Sequence, residues 1–348
     1  MTTDAAAMTR AIELSLLGAN GCAPNPRVGA VILDPHGDIV GEGWHERPGE
    51  PHAEVHALRA AGDRARGGTA IVTLEPCNHH GRTPPCSATL LEAGIARVVY
   101  AVADPTSDAQ GGGASLAGNG IDISSGMHER AARAANQEWL TAVARRRVHL
   151  TYKAAMTIDG RIAAEDGTSQ WISSASSRAD VHRLRGQADV VIAGRGSVLL
   201  DGARLTARDA AGRLLDHQPL RVVVDSQGRT PPDAPVRNDD APTLIATTAE
   251  FGAGDDGRVD LESLSRVLFD RGHRGALLEG GATLGSAFLR AGLVDRLILY
   301  VAPLMLGSGT SVINDLGLHT LADATRWQLD DTTILGGDVR LSYTLEDK

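Results

Sequence analysis

Aromatic side chains are scarce, with three Phe, four Trp and four Tyr among 348 residues. Proteins that hold flipped or single-stranded bases stack them on aromatic rings, so this scarcity opposes a nucleic-acid role. A basic excess is missing as well: the formal net charge is −9, whereas phosphate backbones are met by a basic footprint. No apolar run reaches the roughly 18 residues of a membrane-spanning helix, and no cationic start leads into an apolar stretch. Only three cysteines occur, which fits a reducing compartment. The expectation is a cytoplasmic protein whose partners are neither membranes nor nucleic acids.

What is present points to chemistry. Hydrophobic residues make up 42% of the chain, dominated by small aliphatic types that suit α/β packing. The length suggests two domains on a prior of about 150 residues each. The stretch Pro51-His52-Ala53-Glu54-Val55 is answered downstream by Glu75-Pro76-Cys77 and by Pro84-Pro85-Cys86. One imidazole and two thiolates fill three corners of a tetrahedral Zn2+ site and leave the fourth open, as catalytic zinc requires. H-x-E followed by P-C and a later Cys is the zinc-deaminase pattern, in which the glutamate carries protons and is not a ligand. The spacer between the cysteines is eight residues here, longer than the usual two.

Positions i and i+2 diverge inside a helix, so His52 and Glu54 face one metal only if the site lies above a first turn. Pro51 marks such a start. Pro84-Pro85 starts a second helix, Ser87 to Ala93, closed by Gly94. Both helix N-termini then favour thiolates. His56 completes H-x-x-x-H, but a zinc protease needs glutamate directly after the first histidine, and Ala53 stands there. His79 and His80 read as pocket-mouth residues, and Cys22 is left over from the metal set.

The first half further predicts a helix capped by Asp4 and running to about Leu17. A hairpin, Val28–Leu33 with Asp38–Gly43, and strands Thr69–Leu74 and Arg97–Val102 follow. A helix from Met127 to Ala144 ends in Arg145-Arg146-Arg147, which either binds phosphate or, as favoured at a helix end, forms a solvated linker. The metal motif then lies at the carboxyl end of a strand, where open α/β sheets place ligands. In the second half, Val148–Ala154, Asp189–Ala193, Leu220–Val224 and Ala276–Leu278 read as strands. Two of them run through Gly194-Arg195-Gly196-Ser197 and Glu279-Gly280-Gly281 into helices. Such junctions either cradle phosphates on helix amides or serve tight turns, and neither has the G-x-G-x-x-G fingerprint. Arg195 is a candidate for a 2′-phosphate, favouring NADP over NAD.

Across nearly its whole length the chain resembles the bifunctional riboflavin-biosynthesis deaminase–reductases. The first half carries Pro24-Asn25-Pro26-Arg27-Val28-Gly29, Gly41-Glu42-Gly43-Trp44-His45, Pro51 to Leu58 and Thr73-Leu74-Glu75-Pro76-Cys77…Pro85-Cys86. The second carries Lys153…Asp159-Gly160-Arg161, Ser169-Gln170-Trp171-Ile172, Leu205-Thr206-Ala207-Arg208, Asp225-Ser226 and Glu279-Gly280-Gly281. The resemblance implies a cytidine-deaminase-like α/β/α sandwich over residues 1–147 and a dihydrofolate-reductase-like α/β domain over 148–348. It implies hydrolytic deamination of 2,5-diamino-6-ribosylamino-4(3H)-pyrimidinone 5′-phosphate by a zinc-activated water. NADPH reduction of the ribosyl side chain to ribityl then follows.

By the same resemblance, His52, Cys77 and Cys86 hold zinc, Glu54 is the proton carrier, and Lys153 and Asp201 stand nearest the reduction. Substrate contacts fall to Asn25, His45, Arg82 and Thr83 in the deaminase, and to Ser169, Arg185, Leu205, Arg208 and Glu279 in the reductase. Cofactor contacts fall to Ala155, Trp171, Ser197, Asp201, Ser226 and the run Gly281, Ala282, Thr283, Leu284, Gly285, Ser286, Ala287. A homo-oligomer through the reductase domain is expected. The family's Asp-Pro-Asn-Pro is Asp104-Pro105-Thr106-Ser107 here, its Asp-Asp-Pro is Asp201-Gly202-Ala203, and a lysine after Ala302-Pro303 is Leu304. Three other readings compete. A nucleic-acid deaminase is opposed by acidity and few aromatics, a deaminase with a decayed reductase would not oxidise NADPH, and a non-catalytic zinc protein is disfavoured by Glu54.

Overall fold

The computed structural model describes every residue except 1, 19–20, 80–83, 108 and 347–348. The chain divides into two α/β units, Met1–Arg146 and Arg147–Lys348.

In the first, β1 (Gly29–Leu33), β2 (Ile39–Trp44), β3 (Thr69–Leu74), β4 (Arg97–Val102) and β5 (Asp122–Ser125) form one sheet in the order β2-β1-β3-β4-β5. β1 runs antiparallel to both β2 and β3, whereas β3, β4 and β5 are parallel. The helices are α1 (Asp4–Leu17), α2 (Ala53–Ala61), α3 (Cys86–Glu92), α4 (Gly112–Gly118), α5 (Glu129–Ala135) and α6 (Gln137–Arg145). β1 reads Gly-Ala-Val-Ile-Leu and is buried throughout, as expected of a strand covered on both faces.

Glycine decides how closely α2 approaches this sheet. A Cβ on Gly43 would lie 2.5 Å from the Ala53 carbonyl oxygen and the Ala57 nitrogen, and one on Gly41 would lie 2.1 Å from the Ala57 oxygen. The helix therefore rests on bare strand backbone, and its first turn is set at the mouth of the sheet.

The second unit has an eight-stranded sheet, β10-β9-β8-β11-β6-β12-β15-β14. Its strands are β6 (His149–Thr157), β8 (Val190–Gly194), β9 (Leu220–Val224), β10 (Thr243–Ala246), β11 (Gly275–Leu278), β12 (Arg296–Ala302), β14 (Trp327–Leu335) and β15 (Asp338–Leu345). β10 through β12 in that order are parallel, and β15 and β14 close the edge antiparallel. A separate ribbon pairs β7 (Arg161–Ala163) with β13 (Thr310–Ser311). The helices are α7 (Ala175–Gln187), α8 (Arg195–Leu200), α9 (Thr248–Phe251), α10 (Leu261–Asp270) and α11 (Ala282–Arg290). The core gathers Leu150, Tyr152, Val190, Ile192, Leu278 and Phe288.

Three sequence expectations are corrected. Thr3, not Asp4, caps α1, its hydroxyl accepting the Ala6 N–H at 3.2 Å. The helix expected from Met127 to Ala144 is broken at Asn136, whose backbone leaves the helical region (φ −120, ψ 19) and whose side-chain oxygen accepts the Arg27 N–H at 3.2 Å. Arg147 is not solvated: it is buried and donates to both Asp295 oxygens, at 2.7 and 2.8 Å. A charge-assisted fork of this kind holds two charges that neither could keep alone in the interior.

Candidate zinc centre and reductase cavity

In the first unit the metal motif converges. His52 is the N-cap of α2 and Cys86 the first residue of α3. His52 Nδ1 lies 3.2 Å from Cys86 Sγ and 3.6 Å from Cys77 Sγ, and all three donor atoms fall within 4.8 Å of one another. Zinc bonds of about 2.0 Å to nitrogen and 2.3 Å to sulfur put tetrahedral N···S edges near 3.6 Å. The residues present thus fit the ion, and they form a zinc-binding group. The Cys86 thiol hydrogen-bonds toward Cys77, and with His52 it holds the Cys77 thiol well below its ordinary range despite burial. That same bond, with burial, pushes Cys86 up.

Glu54, one residue into α2, is 3% exposed. Burial pushes its carboxyl up, while His52 draws it down. A buried carboxyl beside the donor set is placed to exchange a proton with a group bound there. His45 Nδ1 lies 3.2 Å from the Pro51 carbonyl oxygen. A carbonyl only accepts, so the proton sits on Nδ1 and Nε2 accepts from Asn25 Nδ2 at 3.0 Å. Burial lowers the His45 pKa, consistent with this neutral ring. Its edge meets the His52 ring at a centroid distance of 5.5 Å. Arg82 and Thr83 lie outside the described residues, as does His80. Cys22 is buried, its thiol donating to the Gly18 and His45 carbonyls.

Sequence reasoning missed Glu75. Its carboxylate accepts the N–H groups of Asp104, Gly111 and Gly113 at 3.2, 3.1 and 3.0 Å, tying the loop after β4 and the start of α4 to the cysteine loop. The run Gly111-Gly112-Gly113 was the available signal. A Cβ on Gly112 would lie 1.7 Å from the Pro76 oxygen. Thr106, at the family's asparagine position, donates through N and Oγ1 to Asp104 Oδ1, at 2.8 and 2.6 Å.

In the second unit a cavity of about 660 Å³ is lined by Lys153, Ala155, Ser169, Trp171, Arg185, Ser197, Asp201, Leu205, Arg208, Glu279 and Gly281, among others. Its charged centre is Glu279, which accepts from Arg185 Nε and Nη2 at 2.5 and 3.0 Å and lies 3.8 Å from Lys153 Nζ. Burial pushes the Glu279 carboxyl up, but the Arg185 guanidinium outweighs it and holds the group at about 2. Burial draws Lys153 down against Glu279's pull. Trp171 is 67% exposed, with the Arg178 guanidinium 4.5 Å from its ring centroid. Leu205, buried and bulky, holds φ +54, a left-handed conformation that costs energy and recurs at functional sites. Gly202, where the family has aspartate, has φ +56, which glycine adopts freely.

The two glycine junctions meet: β8 and β11 are parallel neighbours, and the Gly281 N–H points to Ser197 Oγ at 3.3 Å. The start of α11 has no side-chain cap, leaving amides open to an anionic group such as a nucleotide phosphate. Other expected cofactor residues are not brought to the cavity lining. Arg195 lies 3.9 Å from Asp225, and Ser226 Oγ accepts the Val259 N–H. Within α11, Gly285 and Ser286 face inward: a Cβ on Gly285 would lie 2.4 Å from the Tyr152 ring, and Ser286 Oγ accepts the Asn314 N–H. Ala282, Thr283, Leu284 and Ala287 also fall outside the lining. Missed from this cavity was His182, on the lining face of α7.

Fold and donor set together define a two-unit enzyme, a deaminase with a zinc-binding group followed by a reductase. Residues 1–102 match the cytidine and deoxycytidylate deaminase zinc-binding region, and residues 148–341 match the RibD C-terminal domain. The chain is 47% identical over 337 residues to the riboflavin biosynthesis protein RibD of Mycobacterium tuberculosis, covering 97% of this chain and 96% of that one. It is 40% identical over 357 residues to RibD of Escherichia coli, covering 96% and 97%. Among solved structures, Acinetobacter baumannii RibD superposes with a TM-score of 0.88 at 36% identity over 99% of each chain. A diaminohydroxyphosphoribosylaminopyrimidine deaminase/5-amino-6-(5-phosphoribosylamino)uracil reductase from Thermotoga maritima gives 0.87 at 32% identity over 98% of each. The chain belongs to the RibD family: it is a deaminase–reductase of riboflavin biosynthesis that acts on a pyrimidine substrate. No helix among the described residues is long and apolar enough to cross a membrane.

Proposed function

We propose that this chain performs two consecutive reactions on one pyrimidine ribosyl phosphate. Residues 1–147 remove the 2-amino group of 2,5-diamino-6-ribosylamino-4(3H)-pyrimidinone 5′-phosphate as ammonia. Residues 148–348 then reduce the ribosyl side chain to ribityl with NADPH. The observation that carries this reading is the His52, Cys77 and Cys86 donor set with buried Glu54 beside it, within a chain whose full-length relatives include the Thermotoga maritima enzyme of that description.

His52, Cys77 and Cys86 would hold zinc, which when bound supplies a Lewis acid able to lower the pKa of water to about 7. Glu54 takes a proton from the attacking water and delivers it to the departing amine. Asn25 fixes the neutral His45 ring, whose two nitrogens are thereby engaged; in this reading the ring edge of His45 and the amide of Asn25 meet the pyrimidine, joined by Arg82 and Thr83.

In the reductase, Ala155, Trp171, Ser197, Asp201 and Gly281 are the lining residues that would take NADPH, which supplies a hydride. Ser169, Arg185, Leu205, Arg208 and Glu279 face the substrate. Arg208 is the arginine left to meet its phosphate, because the Arg185 fork is already closed on Glu279. Burial eases the Lys153 ammonium toward releasing its proton, and it is placed to donate the one that accompanies the hydride. We also assign a homo-oligomer through the reductase unit, supported by exposed Ile158, Leu304 and Met305, and a cytoplasmic location, supported by the thiolate ligands.

Incubation with the diaminopyrimidinone phosphate, with and without NADPH, tests the pair of reactions by product mass. Loss of one amine without cofactor, then gain of two hydrogens with NADPH, is expected. Ammonia release without NADPH oxidation would remove the reductase half of the reading, and no ammonia release would remove the deaminase half.

A further inference from the structure

The side chain that neither the motifs nor the family resemblance singles out is His182. It stands on α7 one turn before Arg185, and both line the reductase cavity. Its Nδ1 lies 3.1 Å from the Thr206 carbonyl oxygen, the same oxygen that accepts from Arg185 Nη1 at 3.2 Å. A carbonyl has no proton to give, so the imidazole proton sits on Nδ1. That leaves Nε2 with a lone pair and, among the described residues, no partner.

The neighbours make this atom unusual. Arg185, Arg208 and Lys153 are obligate donors. Glu279, the acceptor at the centre, already receives Arg185 twice and faces Lys153. His182 Nε2 is therefore an uncommitted neutral acceptor within a cluster of donors. Such an atom suits a hydroxyl group and repels a phosphate dianion. Burial, followed by the charge of Arg185, lowers the His182 pKa, so the ring keeps its lone pair at neutral pH. The carbonyl that fixes its tautomer follows Leu205, whose left-handed backbone turns the chain at this point. A strained residue thus stands next to the group that sets which proton His182 carries.

We infer that His182 Nε2 accepts a hydrogen bond from a hydroxyl of the substrate's ribosyl group and is a specificity residue of the reduction. This rests on the proposed reductase activity. The contact is made to the bound sugar before and during reduction alike, so its loss weakens binding more than turnover.

Steady-state reduction by the full chain tests it, using His182→Phe and His182→Gln. Phe keeps the ring volume without an acceptor, and the Gln carbonyl restores one. His182→Phe is expected to raise the substrate KM about tenfold or more, with kcat and the Kd for NADPH little changed. His182→Gln should recover most of the loss. The wild-type KM should also rise as pH falls and the ring protonates, among Arg185, Arg208 and Glu279, whereas that of His182→Gln should not. An unchanged KM in His182→Phe, or equal losses in both variants with a shared pH profile, would overturn the inference. Wild-type enzyme that oxidises no NADPH would instead overturn the reductase reading on which it stands.

Discussion

The zinc centre and the reductase cavity are assembled in opposite ways. His52 and Cys86 are 34 positions apart and sit at the starts of two helices; Cys77 lies between them in the loop after β3. A metal ion restricts residue type, spacing and geometry at once, so the centre is written as a compact string. In the cavity, Arg185 and Glu279 are 94 positions apart, and the lining comes from β6, β7, the segment 167–173, α7, the ends of β8 and β11, α8 and the loop around Leu205. There each residue type has an ordinary structural alternative, and only the folded sheet brings them together. A local site can be broken by one ligand, and a dispersed one is expected to fail by degrees.

The sharpest break is Cys86→Ala. It should abolish deamination and remove zinc, measured by elemental analysis, while reduction of supplied deaminated substrate persists. Loss of both activities would mean that the two units do not function independently. Next comes Glu54→Gln, which should lower the deamination kcat by about 10²–10⁴ with zinc retained. Undiminished turnover would show that protons move by another route. Gly43→Ala sharpens the comparison from the packing side. Its Cβ would meet the α2 backbone, and overpacking of this kind costs about 1–3 kcal/mol. Melting of the first unit should fall, and deamination with it, while the reductase rate stays unchanged.

The smallest expected effect is on the pH dependence of the second unit. Glu279 is held at about 2 against an ordinary 4.5. A depressed carboxyl contributes stability that is present above 4.5 and lost as pH falls toward 2. Glu279→Gln cannot titrate, so the wild-type melting advantage over it should shrink across that window. A constant gap from pH 5 to 2 would show that the Arg185 pairing does not stabilise the fold.

Legibility in the sequence followed the same division. His-x-Glu, the prolines at both helix starts and the two cysteines predicted α2, α3 and the zinc-binding group, because helix starts and metal ligation are set by neighbours in the chain. The glycine junctions at Gly194 and Gly281 were legible as turns, and the strands carrying them were found to within a residue or two. What escaped was set at long range. Asn136 breaks a helix for the sake of Arg27, and Arg147 leaves solvent for Asp295. Glu75 reads as an ordinary carboxylate until α4 folds beneath it. His182 gains its meaning only from the Thr206 carbonyl. Arg195, marked by its motif position as a candidate for a nucleotide phosphate, has its side chain 3.9 Å from Asp225.

The most direct measurement is metal analysis of purified full-length chain combined with X-ray absorption at the zinc edge. One zinc per chain, with one nitrogen and two sulfur ligands and an oxygen in the fourth position, is the expected result. No stoichiometric zinc, or a fourth protein side chain in place of the oxygen, would contradict it.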